Sequence, residues 1–473
     1  MPRTTRRSFL EIAGLLGGGV LLRKSILGEA EAQTATPKFL LLVYFSGGWD
    51  QLLALDPRDA TQDKFKYLAG KAPTSGIYPA YTEMAAGDPA VAAVMAATGG
   101  KGQQTAGGLT FGPAVPSVMT AHANDLCIVR GMSMDTLTHE VGRRYLLTGK
   151  FPRGLTANGS SLNTVVANQT LSQLDLPNLA INVESYNEGM PAFASPTRVN
   201  SATDVRTVLS PQAQAPVLLT GSEASLVNFE KASVSDTCEA HGYDASGLVT
   251  GFRASRDQAR KMTNSQAAAL FQFSNPAPSP DIANLYAAFN LNPASELNSS
   301  KAKAALAGQA LTQGISQVVA VTLADNLDDH FDESGAQSQS LAEGFDALGR
   351  LITFLKSKTV PGTTKTFWEC TSLMTFSEFS RTPMLNARDG RDHHLTGSCL
   401  IGGPGLKGGT VFGASTDVGM GAQKFNFASG AVDAANGLAI RPSDVHATLL
   451  KSMGLDYSHL SNTTPQTIEK LIK

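Results

Sequence analysis

Charge is scarce in this 473-residue chain. Only 16% of its residues are Asp, Glu, Lys or Arg, and 38 basic against 40 acidic side chains leave a net charge of −2 at pH 7. That balance excludes a basic stripe for nucleic acid and a polybasic patch for an anionic membrane. Cysteine is scarcer still. Cys127, Cys238, Cys370 and Cys399 form no Cys-x-x-Cys pair, which argues against a zinc-thiolate site, a thioredoxin motif, haem attachment and an iron–sulfur cluster. Cys127 lies in an apolar run and Cys370 just before one, the setting of buried free thiols, while Cys238 and Cys399 could pair in an oxidising compartment. There is no Gly-x-Ser-x-Gly elbow, since Gly159-Ser160-Ser161 lacks the second glycine, and no strand–glycine-loop–helix unit for a dinucleotide. The glycine-rich stretch from Gly402 to Gly409 has no Gly-Lys-Ser/Thr ending and no following helix, so it reads as a turn between two short strands. After residue 32, no stretch is long and apolar enough to cross a bilayer.

What is present begins with an address. Thr5-Arg6-Arg7-Ser8-Phe9-Leu10 is a twin-arginine signature, Ile12 to Leu22 is a short glycine-containing apolar stretch, and Ala30-Glu31-Ala32 is a small-x-small cleavage site. That apolar stretch reaches only about half a bilayer span, so it marks a cleaved leader and not a permanent membrane span. Residues 1–32 read as a twin-arginine signal peptide engaged by the twin-arginine translocase during export. They carry five basic and three acidic residues, so the net charge of −2 becomes −4 for residues 33–473. The mature protein is expected in the periplasm or outside the cell.

Phe39 to Phe45 is a seven-residue apolar run ended by Ser46-Gly47-Gly48, the pattern of a central parallel strand buried on both faces. Leu126–Val129, Val318–Leu323 and Leu373–Phe376 read the same way. Between the last two, Leu341, Phe345, Leu348, Ile352 and Leu355 recur at helical spacing and predict a helix packed on the sheet, hence a parallel crossover. A second helix is predicted from Ser443-Asp444 to Gly454. The stretch from about 195 to 314 is rich in Ala, Ser, Asn and Gln with little strand character, and reads as a largely helical insertion or cap.

Acidic and histidine residues follow these apolar runs. Asp50 comes after Ser46-Gly47-Gly48-Trp49, Asp328 and His330 sit in Asn326-Leu327-Asp328-Asp329-His330, and Glu378 precedes Asp392-His393-His394. Carboxylates and imidazoles delivered by several strand ends are how an α/β protein gathers a metal site at one edge of its sheet. Each has a plainer reading: Asp50 as a cap, Asp328 in a solvated acidic loop, Glu378 paired with Arg381. Alternation along a strand lets Asp328 and His330 face one ion together, and lets only one of His393 and His394 point inward. Arg143 and Arg381 are candidates for holding an anionic substrate, because a planar guanidinium binds phosphate or sulfate bidentately. Trp49 reads as packing or as a wall for a sugar ring.

Phe45-Ser46-Gly47-Gly48-Trp49-Asp50, the Asp-x-His at 328–330, Phe376-Ser377-Glu378-Phe379-Ser380-Arg381-Thr382-Pro383 and Asp392-His393 resemble, together with the twin-arginine start, the exported bacterial family catalogued as domain of unknown function 1501. That family resembles the alkaline phosphatase and sulfatase superfamily of metal-dependent ester hydrolases. The resemblance implies an alkaline phosphatase-like three-layer α/β sandwich with a mostly parallel central sheet over residues 33–473. It puts Asp50 at the first metal-binding aspartate, Glu378 at a later one, and His393 or His394 at the closing histidine. Arg143-Arg144-Tyr145-Leu146-Leu147-Thr148-Gly149-Lys150-Phe151-Pro152 is similar to the segment that follows the sulfatase nucleophile, which places His139 at the nucleophile position and Thr138 beside it. Asp444-Val445-His446-Ala447-Thr448-Leu449 resembles the C-terminal helix of many sulfatases.

The departures are as informative. No Cys-x-Pro-Ser-Arg is present, so formylglycine chemistry is excluded, and Phe379 stands where the superfamily has a histidine or asparagine ligand. The implied function is an exported hydrolase of a phosphate or sulfate ester, small or polymer-borne, using one divalent ion (calcium, zinc or manganese) on Asp50, Asp328, His330, Glu378, Asp392 and His393. His139 would serve as ligand, nucleophile or proton carrier, with Arg143 and Arg381 on the substrate anion. The competing expectation is a non-catalytic binding or assembly protein with a partial site.

Overall fold

Seven consecutive apolar residues can all be buried only if helices cover both faces of the sheet they enter. The computed structural model, which describes residues 36–171, 174–210, 266–331 and 335–473, has this arrangement. Residues 1–35, on which the expected signal peptide falls, and residues 211–265, including Cys238, lie outside the described residues. The principal sheet has eight strands, labelled in chain order: β1 (Phe39–Phe45), β2 (Leu126–Ser133), β3 (Asn178–Ile181), β4 (Thr197–Val199), β5 (Val318–Ala324), β6 (Thr371–Phe376), β7 (Thr396–Gly402) and β8 (Thr410–Gly413). Their order across the sheet is β8-β2-β7-β6-β1-β5-β3-β4. β7 alone runs antiparallel, to both β2 and β6, and every other pairing is parallel. β1 is at the centre, with Leu40 opposite Val318 on one side and Ser372 on the other.

Among the described residues, the helices that supply most of the outer layers are α1 (His139–Thr148), α2 (Leu162–Thr170), α3 (Pro280–Phe289), α4 (Ser300–Thr312), α5 (Ala336–Ser357) and α6 (Pro442–Ser452). On one face Leu41, Val43 and Phe45 join a core with Ile282 of α3, Ala304 of α4 and the Leu341/Phe345/Leu348/Ile352/Leu355 stripe of α5. On the other, Leu40, Leu42 and Tyr44 join Leu146 of α1, Val165 of α2 and Leu449 of α6. The result is a three-layer α/β sandwich with a mostly parallel sheet, the architecture that the alkaline phosphatase and sulfatase resemblance implies. The crossover through α5 leads from β5 to β6, both of which flank β1. The Gly402–Gly409 turn does join two strands, and they lie on either side of β2.

The described part of the 195–314 stretch is largely helical, with one strand that the sequence does not announce. Thr197–Val199 is a parallel edge strand, and α4 lies directly on β5 and α5 as part of the helical layer. A three-residue strand is too short to show period-two alternation, which is why it is invisible in sequence. Cys127, Cys370 and Cys399 are buried free thiols. Among the described residues, no helix is long and apolar enough to cross a membrane. Because β1, β2, β5 and β6 run the same way, the turns that leave them all emerge at one edge of the sheet. Gly47 lets two of those turns touch: its φ is +116°, and a Cβ there would lie 2.5 Å from the Asp328 backbone nitrogen.

Candidate metal centre

Asp328 is the hub of this edge. Its Oδ1 accepts from Arg381 Nη2 at 2.6 Å and lies 3.1 Å from His330 Nε2 and 3.4 Å from His393 Nε2, while its Oδ2 is 3.3 Å from His139 Nε2. Each of the three imidazoles has its other nitrogen committed to an oxygen. His139 Nδ1 meets Glu378 Oε1 at 2.8 Å, His330 Nδ1 meets Asp392 Oδ1 at 2.9 Å, and His393 Nδ1 meets the Leu137 carbonyl at 2.6 Å. A carbonyl or a carboxylate can only accept, so in all three rings Nδ1 carries a proton, and Nε2 is the nitrogen turned toward Asp328. This is how metal-binding histidines are usually oriented. His330 Nε2 lies 3.1 Å from His393 Nε2 and 3.3 Å from Arg381 Nη1. His139 Nε2 is buried and has no hydrogen-bond partner. The ligand atoms of His139, Asp328 and His393 all lie within 4.8 Å of one another.

The local fold explains the convergence. α1 begins at His139, and a Cβ on Gly142 would lie 2.3 Å from the Glu378 carbonyl, so glycine lets the helix rest directly on the segment that leaves β6. Glu378 itself is buried and is held by the Gly47 N–H at 2.9 and 3.1 Å and by the Ser377 hydroxyl at 3.1 Å. Ser377 Oγ in turn accepts from the Gly48 and Trp49 N–H groups, both at 3.0 Å. A two-residue antiparallel ladder pairs His393 with Arg381 and His394 with Ser380, fixing which histidine turns inward. Phe379 closes the floor, its ring centroid 4.7 Å from His139 and 4.4 Å from His393.

Electrostatics sort the donors. Burial would raise the Asp328 carboxyl, but the Arg381 hydrogen bond, the His139 charge and the Arg381 charge overcome it and hold its pKa down at about 2. Burial lowers the His393 ring below its ordinary value, reinforced by Arg381 and His139, so it stays neutral and able to donate its lone pair. Burial would lower His139 as well, yet its hydrogen bond and charge contact with Glu378, helped by Asp328, raise it.

Residues 37–471 match the family described as Protein of unknown function (DUF1501). The chain belongs to that family. No curated protein matches it. Among solved structures, it is similar to the PsFucS1 sulfatase from Pseudoalteromonas sp., at 12% identity and a TM-score of 0.34, over 89% of this chain and 68% of that one. It is also similar to the lipoteichoic acid synthase LtaP from Listeria monocytogenes, at 9% identity and a TM-score of 0.33, over 91% of this chain and 74% of that one.

In this DUF1501 chain the predicted site residues fall into three groups. Asp328, His330, His393 and His139 come together with donor atoms facing one point. Glu378 and Asp392, expected as ligands, are instead outer partners that orient His139 and His330. Asp50, Arg143 and Arg381 are committed elsewhere. Asp50 is buried, with Oδ1 capping the Leu52 N–H at 2.7 Å and Oδ2 2.9 Å from Arg391 Nε, so the plainer reading of a cap fits it. Arg143 pairs with Glu184 at 2.5 Å. Arg381 is fully buried and pairs with Asp328, not with Glu378, while also donating to the Gly47 and Gly48 carbonyls. Arg381, expected on a substrate anion, is thus turned inward, while Arg143 stays 19% exposed with one nitrogen on Glu184. His394 turns away: its Nε2 meets the Gly419 carbonyl at 3.1 Å and its Nδ1 accepts the Thr396 N–H at 3.2 Å. Trp49 is core packing, stacked on Phe345 with centroids 6.1 Å apart. Sequence reading missed the Leu137 carbonyl and Ser377, which act through a backbone atom and a hydroxyl that no motif marks.

Proposed function

We propose that the chain is an exported, metal-dependent hydrolase of phosphate or sulfate esters, with one divalent ion held by His139, Asp328 and His393 and with His330 beside it. The observation that carries this reading is the set of three Nδ1-protonated imidazoles whose Nε2 atoms converge on an ionised aspartate. Imidazole nitrogens suit zinc or manganese better than calcium, which prefers an all-oxygen shell of six to eight donors. Such an ion, when bound, supplies Lewis-acid polarisation of the ester oxygen.

The protein's own contribution is orientation and exclusion of water. Glu378 fixes the tautomer and angle of His139, Asp392 does the same for His330, and the Leu137 carbonyl does so for His393. Arg381 keeps Asp328 ionised and aimed. Phe379 shields one side of His139 and His393, which raises the strength of every charge interaction there. With Nδ1–H committed and Nε2 facing the ion, His139 has no lone pair left to serve as a proton carrier. Of its three expected roles, ligation is the one the geometry supports. Export is supported by the twin-arginine signature.

A specific observation favours a second reading. Both arginines expected on the substrate anion are neutralised by internal carboxylates, which suits a binding or assembly protein that keeps a metal without turnover. The test is a panel of phosphate and sulfate esters offered to zinc- and manganese-loaded protein. Turnover that disappears on chelation and returns with metal supports the hydrolase. Stoichiometric metal with no turnover on any ester moves the reading to the binding protein.

A further inference from the structure

Beside His393 lies a cavity of about 400 Å³ lined by Ser133, Leu137, His393, His394, Leu395 and Ala422 among others. Its size is within the range of small-molecule sites, and it adjoins the proposed ion. The chemistry of its wall is unusual for a site expected to hold an anion. The Ser133 hydroxyl donates to Asp135 at 2.7 Å. His394 has both nitrogens committed, to Gly419 and Thr396, and so offers the cavity only a ring face. His393 has Nδ1 on Leu137 and Nε2 toward Asp328. The Ser133, His393 and His394 side chains are thus already partnered, the Thr396 hydroxyl is the remaining polar side-chain group of the lining, and the rest is mainly hydrocarbon. Leu137 and Leu395 are 47% and 50% exposed, unusual values for leucine, and each stands two residues from a proposed ligand. A charged or strongly polar group in this cavity would lose its water for at most one side-chain partner, the Thr396 hydroxyl, whereas an apolar group would gain contact area.

We infer that this cavity receives an apolar substituent of the ester, so that the substrate is an aryl or alkyl phosphate or sulfate and not a polyanionic polymer. The inference rests on the hydrolase reading for the position of the ester group, with the phosphate or sulfate at Asp328 and its organic part lying over His393 between Leu137 and Leu395. It narrows the ester, small or polymer-borne, that the sequence resemblance leaves open.

The experiment titrates the zinc-loaded protein with 1-naphthyl phosphate and, separately, with methyl phosphate, while metal content is read on the same samples by plasma mass spectrometry. The naphthyl ester is expected to bind at least about tenfold tighter, because it alone can bury apolar area. Ala422→Phe fills the cavity, and Leu395→Ser, at an exposed position that tolerates it, removes half of the leucine pair. Each should bring the two affinities to within about threefold while metal content is unchanged. Equal affinities for the two esters in metal-bound wild-type protein would overturn the cavity assignment and leave the metal centre standing. Protein that takes up no metal but still prefers the naphthyl ester, with the preference lost in Ala422→Phe, would overturn the metal reading and retain the cavity. If neither metal nor preference is found, both fall.

Discussion

Two turns leave adjacent parallel strands at the same edge of the sheet, and each carries an aspartate a few residues on. After β1 comes Asp50, and after β5 comes Asp328. In sequence they look alike: an apolar run, a short polar break, a carboxylate. In space they are opposites. Asp50 is 1% exposed, its oxygens bound by a backbone N–H and by the buried Arg391 guanidinium. The Asp328 side chain is 49% exposed and ringed by the Nε2 atoms of three imidazoles. A buried carboxylate with rigid donors on both oxygens has nothing left to give an ion, and serves the fold. A half-exposed carboxylate among converging imidazole nitrogens can still give an oxygen to a cation, and serves the site.

The comparison breaks most sharply if the two aspartates are exchanged in role. Asp50→Ala removes one carboxylate contact of a fully buried arginine and the cap on the Leu52 N–H, and should cost about 3 kcal/mol of stability, read by chemical denaturation, because buried charge-assisted contacts are lost. The Asp50 variant that still folds should bind metal as tightly as the wild type. If instead its metal affinity collapses while stability holds, Asp50 is a ligand and the division is wrong.

A second buried group sharpens the same contrast with an imidazole. His446 on α6 is fully buried beneath the helix that starts at His139, with Nε2 2.7 Å from the Leu146 carbonyl. Burial pushes its pKa down from 6.5 to about 4, aided by His459 and opposed by the Leu146 hydrogen bond. Between those values the unfolded chain binds a proton that the folded chain refuses, so stability falls as pH drops from about 6.5 to about 4, by about 3 kcal/mol. Asp444, raised to about 6 mainly by burial, contributes the opposite slope over the lower part of that window. The quantity to measure is therefore the difference between wild type and His446→Gln across pH 4 to 7, and the variant should lack the acid-induced loss. Identical pH profiles would show that His446 is not held neutral.

Smaller effects belong to the outer partners. Glu378→Gln keeps the volume but weakens the grip on His139 Nδ1, and should lower metal affinity roughly 10- to 100-fold. Asp392→Asn, at a more exposed position, should act in the same direction by about tenfold or less. Competition titration against a chelator ranks the two, and a larger loss for Asp392 would place His330 ahead of His139 in holding the ion.

Much of the scaffold was legible in the sequence because burial writes itself into periodicity. The all-apolar run of β1, the helical stripe of α5 and the turn at Gly402–Gly409 could be read directly. The antiparallel insertion of β7 between β2 and β6 could not, since pairing direction leaves no mark on a short strand buried on both faces. The site was legible as a set of strand ends and not as a set of roles. Spacing located Glu378 and Asp392 near the centre, but which way a carboxylate points depends on whether a backbone N–H or an imidazole is nearer. Glu378 meets the Gly47 N–H and His139 Nδ1, and this fixes it as a support. Arg381 was expected on substrate for its chemistry, and the same chemistry makes it the best available partner for Asp328 at 2.6 Å.

The most direct test is metal content by plasma mass spectrometry on mature folded protein, reloaded with zinc or manganese, beside Asp328→Asn and Asp50→Asn. The account predicts stoichiometric metal in the wild type, none in folded Asp328→Asn, and full occupancy in whatever Asp50→Asn remains folded. Wild-type protein that binds no metal, or an Asp328→Asn variant that binds it as well as the wild type, would contradict it.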